Sequence, residues 1–161
     1  MKTVAIVSQK GGSGKTTVAV HLAVCAELAG KSAAIIDLDP QASALEWRSR
    51  REAETPEVVT ATPGQLAALL KSAEENGADL TIIDTAPHSD RVAIAAADLA
   101  DLIMIPCRPS AFDVAAIGTT LNLMKLTKAL DRTVILLNAA PARGSITDAA
   151  EAGLSELNIA S

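Results

Sequence analysis

The chain has 161 residues, enough for one domain of ordinary size around a single buried core. Its net charge of −5 argues against a broadly basic nucleic-acid surface, so any DNA contact has to come from a local patch. Apolar residues make up 49% of the chain, yet Trp47 and Phe112 are the only aromatics, so the core must be aliphatic. No apolar stretch of about 18 residues occurs and no charged-then-apolar leader precedes the first strand, so a soluble cytoplasmic protein is expected.

The first apolar run predicts a strand near 3–8, and it passes directly into Gln9-Lys10-Gly11-Gly12-Ser13-Gly14-Lys15-Thr16-Thr17 and a helix over 15–29. This is a phosphate cradle. Gly11, Gly12 and Gly14 let the backbone turn tightly and aim several N–H groups at one anion, Lys15 supplies a point charge, and Thr16 offers a hydroxyl to magnesium. The helix then begins with its positive dipole end at the same place.

Further strands are predicted near 33–38, 57–61, 79–84, 101–106 and 132–138, and helices near 42–52, 63–75, 90–99, 111–130 and 146–157, with Gly30 and Gly77 as C-terminal caps. Short apolar runs alternating with longer helical patterns specify a doubly wound, mostly parallel α/β sheet with helices on both faces. Neither a repeat nor a linker divides the chain, so residues 1–161 are read as one domain. In such a sheet the ligand lies outside the carboxyl ends of the strands. The residues standing there are the phosphate loop, Asp37-Leu38-Asp39-Pro40-Gln41, Asp84-Thr85-Ala86-Pro87, Pro106-Cys107-Arg108-Pro109 and Asn138.

The strict pattern G-x-x-x-x-G-K-[ST] fails because Gln9 stands where its first glycine belongs and Lys10 follows. Lys-Gly-Gly-Ser-Gly-Lys-Thr-Thr instead resembles the deviant Walker A motif of the ParA/MinD family of P-loop ATPases. The resemblance implies an ATPase that binds ATP/ADP and magnesium, with Lys10 reaching across a nucleotide-sandwich dimer and Lys15 acting in its own subunit. It places Gly11, Gly12, Ser13, Gly14, Thr16 and Thr17 on the phosphates. The resemblance covers nearly all of the chain, and the family's C-terminal strand and closing helices would follow beyond Ser161.

Asp84 ends the run Leu80-Thr81-Ile82-Ile83 and resembles a Walker B aspartate that holds magnesium opposite Thr16. Thr85-Ala86-Pro87 resembles the family's Asp-Thr-Pro-Pro switch with Ala86 replacing a proline. Asp37 and Asp39, two apart on an extended run, are expected to point the same way. In the family pattern Asp-x-Asp-Pro-Gln, the resemblance makes Asp39 the residue that positions the attacking water and Asp37 part of the magnesium shell. It also sets Asn138 against adenine and Pro106, Arg108 and Pro109 in the loop lining the base pocket and dimer surface.

Other residues read more simply. Asp113 is taken as a cap of helix 111–130, Cys25 and Cys107 as small buried residues, and His21 and His88 as surface or satisfied histidines. Lys125, Lys128 and Arg132 are expected on one helical face, with Arg143 in a later loop; Arg48, Arg50 and Arg51 cluster behind Trp47. Solvated faces are the simpler reading of both clusters, and a weak, salt-sensitive phosphate contact is the other. By resemblance the chain is a ParA-type partition ATPase that dimerises on ATP, binds DNA nonspecifically, sits on the nucleoid and answers to a ParB-like or cargo-adaptor protein. A MinD-like membrane-cycling ATPase and a nucleotide-dependent scaffold with incidental hydrolysis are the alternatives.

Overall fold

The computed structural model describes residues 1–141, 145–155, 157 and 159. Its strands are β1 (Lys2–Ile6), β2 (Ala33–Asp37), β3 (Glu57–Thr60), β4 (Leu80–Asp84), β5 (Leu102–Cys107) and β6 (Thr133–Leu137), in the spatial order β3-β2-β4-β1-β5-β6 with every pairing parallel. The helices are α1 (Lys15–Leu28), α2 (Ser43–Ser49), α3 (Leu66–Glu75), α4 (Asp90–Leu99), α5 (Ala111–Leu126) and α6 (Ser145–Ser155).

The period of two along each strand divides the core into two layers. Ile6, Ile35, Val58 and Ile82 face one way and pack on Val18, Ala19, Val20 and Ala23 of α1 and Ala44 of α2. Ala5, Val7, Ile36, Ile83, Ile103, Ile105 and Ile135 face the other way, under Leu66 and Leu70 of α3, Val92 and Ala96 of α4, Ile117, Leu121 and Met124 of α5 and Leu154 of α6. Small alanines let the helices approach the branched strand residues closely. Ile82 and Ile83 are fully buried, one on each face, and truncating either to alanine costs about 2–5 kcal/mol.

Parallel register brings the strand ends level. Asp84 pairs with Ile6 on one side and Asp37 on the other, so both carboxylates stand beside the exit of β1 into the phosphate loop. The Thr85 hydroxyl donates to the Ile6 carbonyl at 2.8 Å and the Leu38 N–H to the Asp84 carbonyl at 2.8 Å, which holds the three ends together. Gly30 and Gly77, at φ 74° and 83°, close α1 and α3 in the left-handed conformation expected of C-terminal glycines.

Two helices end early. Instead of running over 42–52, α2 stops at Ser49; Arg48 donates to the Glu54 carbonyl and Arg51 Nε to the Thr55 carbonyl at 3.0 Å, while the Arg51 guanidinium stacks 5.3 Å from the Trp47 ring. Arg50 pairs with Glu46. The arginine cluster is therefore engaged in closing its own loop. Helix α5 ends at Leu126 because Lys128 turns left-handed at φ 53°. Arg132 lies in a separate 3-10 turn, Leu130–Arg132, and donates to the Ala97 carbonyl at 3.1 Å. Lys125, Lys128 and Arg132 thus do not share a helical face, and Arg143 lies outside the described residues.

Candidate nucleotide site

The phosphate loop is held from three sides. The Gln9 N–H donates to the buried Thr120 hydroxyl of α5 at 3.2 Å, the Lys10 N–H to the Ser8 hydroxyl at 3.3 Å, and Asn138 Nδ2 to the Ser13 carbonyl at 2.9 Å. Gly12 and Gly14 take φ 74° and 96°, a region that β-carbons disfavour. No side chain caps α1, so its first N–H groups remain open to an anion. Gly12, Gly14, Lys15, Thr16, Thr17, Asp39, Ser43, Pro87 and Arg108 line a cleft of about 290 Å³. That is room for a phosphate chain at the small end of ligand sites.

Charge inside the cleft is poorly satisfied by the protein alone. Lys15 is 7% exposed and, among the described residues, its ammonium reaches only the Lys10 carbonyl, at 3.5 Å; burial lowers its pKa, with Asp84 and Asp39 opposing the shift. Asp84 is fully buried with neither carboxylate oxygen hydrogen-bonded among the described residues. Burial pushes its carboxyl up to about 7, tempered by the nearby Thr16 hydroxyl and Lys15 and reinforced by Asp37. A buried, unpartnered carboxylate beside a threonine hydroxyl suits a hydrated divalent cation. Among the described residues no three His, Cys, Asp or Glu side chains are grouped to hold a metal, so phosphate oxygens and water would complete the shell.

β2 ends at Asp37, so Asp39 lies in the following turn rather than on the pleat. Asp37 accepts from the Asp39 N–H at 2.9 Å with one oxygen and from the Ala44 N–H at 3.0 Å with the other. Burial raises its pKa against the lowering effect of those same bonds. Its observed work is to shape the turn and the start of α2, which leaves the half-buried Asp39 facing the cleft, its Oδ1 accepting from the Gln41 N–H at 2.9 Å.

Lys10 lies on the loop but points elsewhere: its ammonium pairs with Asp113 at 2.9 Å. Asp113 was expected to cap α5, yet that position belongs to Ser110, whose hydroxyl accepts from the Asp113 N–H at 3.1 Å. Partial burial pushes the Asp113 carboxyl up, but the Ser110 hydroxyl, Lys10 and Arg108 together hold it below the usual carboxylate range. Asp113 and Thr120 are the site residues that sequence reasoning missed, since nothing local links positions so far from the loop.

The remaining residues divide. Pro106 is buried inside β5 opposite Leu136, and of that segment the exposed Arg108 lines the phosphate cleft. Cys107 is buried, its thiol pushed up to about 11 by desolvation and Asp113, but Cys25 is exposed. His21 is exposed, with Nδ1 2.7 Å from the Thr17 carbonyl, and His88 is an exposed, left-handed residue at φ 54°.

Asp84 facing a glycine loop across adjacent parallel strands is the arrangement of P-loop nucleotide-binding domains, and the chain is of that class. The CobQ/CobB/MinD/ParA nucleotide binding domain matches residues 4–154, and the chain belongs to that family. It is 35% identical over 154 residues to the maintenance of carboxysome distribution protein A of Gloeobacter kilaueensis, covering 94% of this chain and 68% of that protein. It is 32% identical over 139 residues to protein ParA of Rhizobium radiobacter, covering 83% of this chain and 61% of the relative. The chain thus spans about two thirds of the curated relatives it matches. Among solved structures, apo McdA of Cyanothece superposes with a TM-score of 0.76 at 21% identity, over 98% of this chain and 81% of that one. Cobyrinic acid a,c-diamide synthase of Mycobacterium smegmatis, with bound ADP and magnesium, gives 0.79 at 17% identity over 97% and 82%.

Proposed function

We propose that this chain is the ATP-binding and ATP-hydrolysing domain of a partition- or positioning-type protein. The observation that carries the reading is Asp84, buried and without a hydrogen-bond partner among the described residues, beside Lys15 and Thr16 at the mouth of an uncapped helix. Gly11, Gly12, Ser13, Gly14, Lys15, Thr16 and Thr17 cradle the phosphates of ATP or ADP. Thr16 and Asp84 hold magnesium, with Asp37 supporting its shell from behind. Bound there, the metal neutralises charge that develops on the transferred phosphoryl group.

Phosphoryl transfer then asks the protein mainly for positioning. Asp39 stands free enough at the cleft to orient water, and Lys15 offsets charge on the phosphates. Lys10 serves a second subunit in an ATP-bound homodimer. The kinship with partition and carboxysome-distribution proteins supports the partners in this reading, a ParB-like or cargo-adaptor protein and nonspecific DNA at the nucleoid in the cytoplasm. For DNA, the exposed Arg91, Arg108, Lys125 and Lys128, outside the ion pairs of the described residues, are the cations on offer. No helix among the described residues is long and apolar enough to cross a membrane.

The test is ATP turnover with magnesium, with and without duplex DNA, for the parent and Asp39→Ala. Hydrolysis that needs Asp39 supports the reading. ATP binding with no turnover under either condition would favour a nucleotide-dependent scaffold instead.

A further inference from the structure

Asn138 follows β6, and its position is set by its backbone: the N–H donates to the Cys107 carbonyl at the end of β5 at 2.7 Å, and Ala139 then turns left-handed at φ 54°. That places the carboxamide directly over Gly14, where a β-carbon would overlap Nδ2. Nδ2 donates to the Ser13 carbonyl at 2.9 Å. Ser13 is 1% exposed, so this carbonyl has little water to replace a lost donor.

A trans peptide is planar, with its C=O and N–H pointing in opposite directions. Whatever holds the Ser13 carbonyl outward therefore turns the next N–H, that of Gly14, to the other side. Among the described residues the Gly14 N–H donates to no backbone group, and Gly14 itself lines the cleft. Glycine on one side of this peptide makes it easy to flip unless something restrains it.

We propose that Asn138 is a positioning residue of the phosphate loop, holding the Ser13–Gly14 peptide in the orientation that presents the Gly14 N–H to the anion. This extends Asn138 beyond a contact with the base and rests on the reading of the loop as a triphosphate site. Aspartate has no donor, serine is too short to reach, and glutamine is a methylene too long for the space over Gly14. Loss of the donor leaves a buried carbonyl unsatisfied and one phosphate donor free to turn away, a loss of about tenfold in anion affinity.

Tripolyphosphate with magnesium has no base, so it separates the two roles. Titration calorimetry would measure its binding, and that of magnesium ATP, to the parent, Asn138→Ala, Asn138→Ser and Lys15→Ala. Both Asn138 variants are expected to lose about tenfold toward both ligands, with a ligand-free thermal midpoint a few degrees below that of the parent because the Ser13 carbonyl loses its donor. If Asn138→Ala does not fold, Asn138→Ser decides. Unchanged tripolyphosphate affinity, whether or not ATP affinity falls, overturns the positioning role and leaves the phosphate reading standing. A parent that binds neither ligand, or a Lys15→Ala protein that binds both as tightly, overturns that reading and this inference with it.

Discussion

Lys10 and Asp113 form an ion pair of 2.9 Å between the phosphate loop and the first turn of α5. The lysine side chain is 37% exposed, so the pair is worth about 0–1 kcal/mol, and releasing Lys10 toward a second subunit costs little. Asp113→Asn should therefore lower the protein concentration needed for dimerisation on a non-hydrolysable ATP analogue by about fivefold at most. Lys10→Ala should retain ATP binding but lose dimerisation and turnover. Light scattering decides: a Lys10→Ala protein that dimerised as readily as the parent would show that the lysine has no role across the interface.

Lys15 is nearly buried with one long hydrogen bond, so it strains the ligand-free fold while serving the ligand. Lys15→Met should abolish ATP binding yet raise the ligand-free thermal midpoint by a few degrees, equivalent to about 1 kcal/mol. Calorimetry and thermal unfolding of the same sample check both halves. Tight nucleotide binding by this variant is the outcome that contradicts its assignment.

Among the described residues the Asp39 carboxylate accepts only from the Gln41 N–H of its own turn, whereas the Asp37 carboxylate supports both that turn and α2. Asp39→Ala should fold normally and bind magnesium ATP within a few fold of the parent, but lose turnover by about 100-fold or more. Asp37→Ala should instead be destabilised by about 1–3 kcal/mol, because two N–H groups lose their acceptor. Equal turnover in the parent and Asp39→Ala would remove Asp39 from water positioning.

Asp84 supplies a pH signature. Its carboxyl, at about 7 in the fold against 3.8 unfolded, binds a proton more readily when folded, so its stabilising contribution is complete below about pH 4 and lost as pH rises through 7. The loss is at most about 4 kcal/mol. The ligand-free thermal midpoint should fall across that window, and Asp84→Asn should flatten the fall while abolishing magnesium-dependent nucleotide binding. Magnesium affinity of the parent should climb from pH 6 to pH 8, since the cation takes the ionised form. A parent midpoint that rose steadily from pH 4 to 7 would contradict the buried, unpartnered carboxylate.

The sequence by itself determined the parallel α/β class, the helices and strands within a few residues, the phosphate loop and the stop of β4 at Asp84. Each of these is written in a short window, as a period of two or 3.6, a glycine cluster, or an apolar run meeting a polar residue. Strand ends collect the chemistry in any parallel sheet, so Asp39 and Asn138 could be nominated before their surroundings were known. The tertiary structure alone decided the order β3-β2-β4-β1-β5-β6, the pairing of Lys10 with Asp113, the bracing of Gln9 by Thr120 and the grip of Asn138 on Ser13. It also took Lys125, Lys128 and Arg132 off a common face, because Lys128 breaks the helix that periodicity would have continued. These contacts join segments separated by whole elements. Their geometry is set by how two apolar layers close on the sheet, which no local window of residues records.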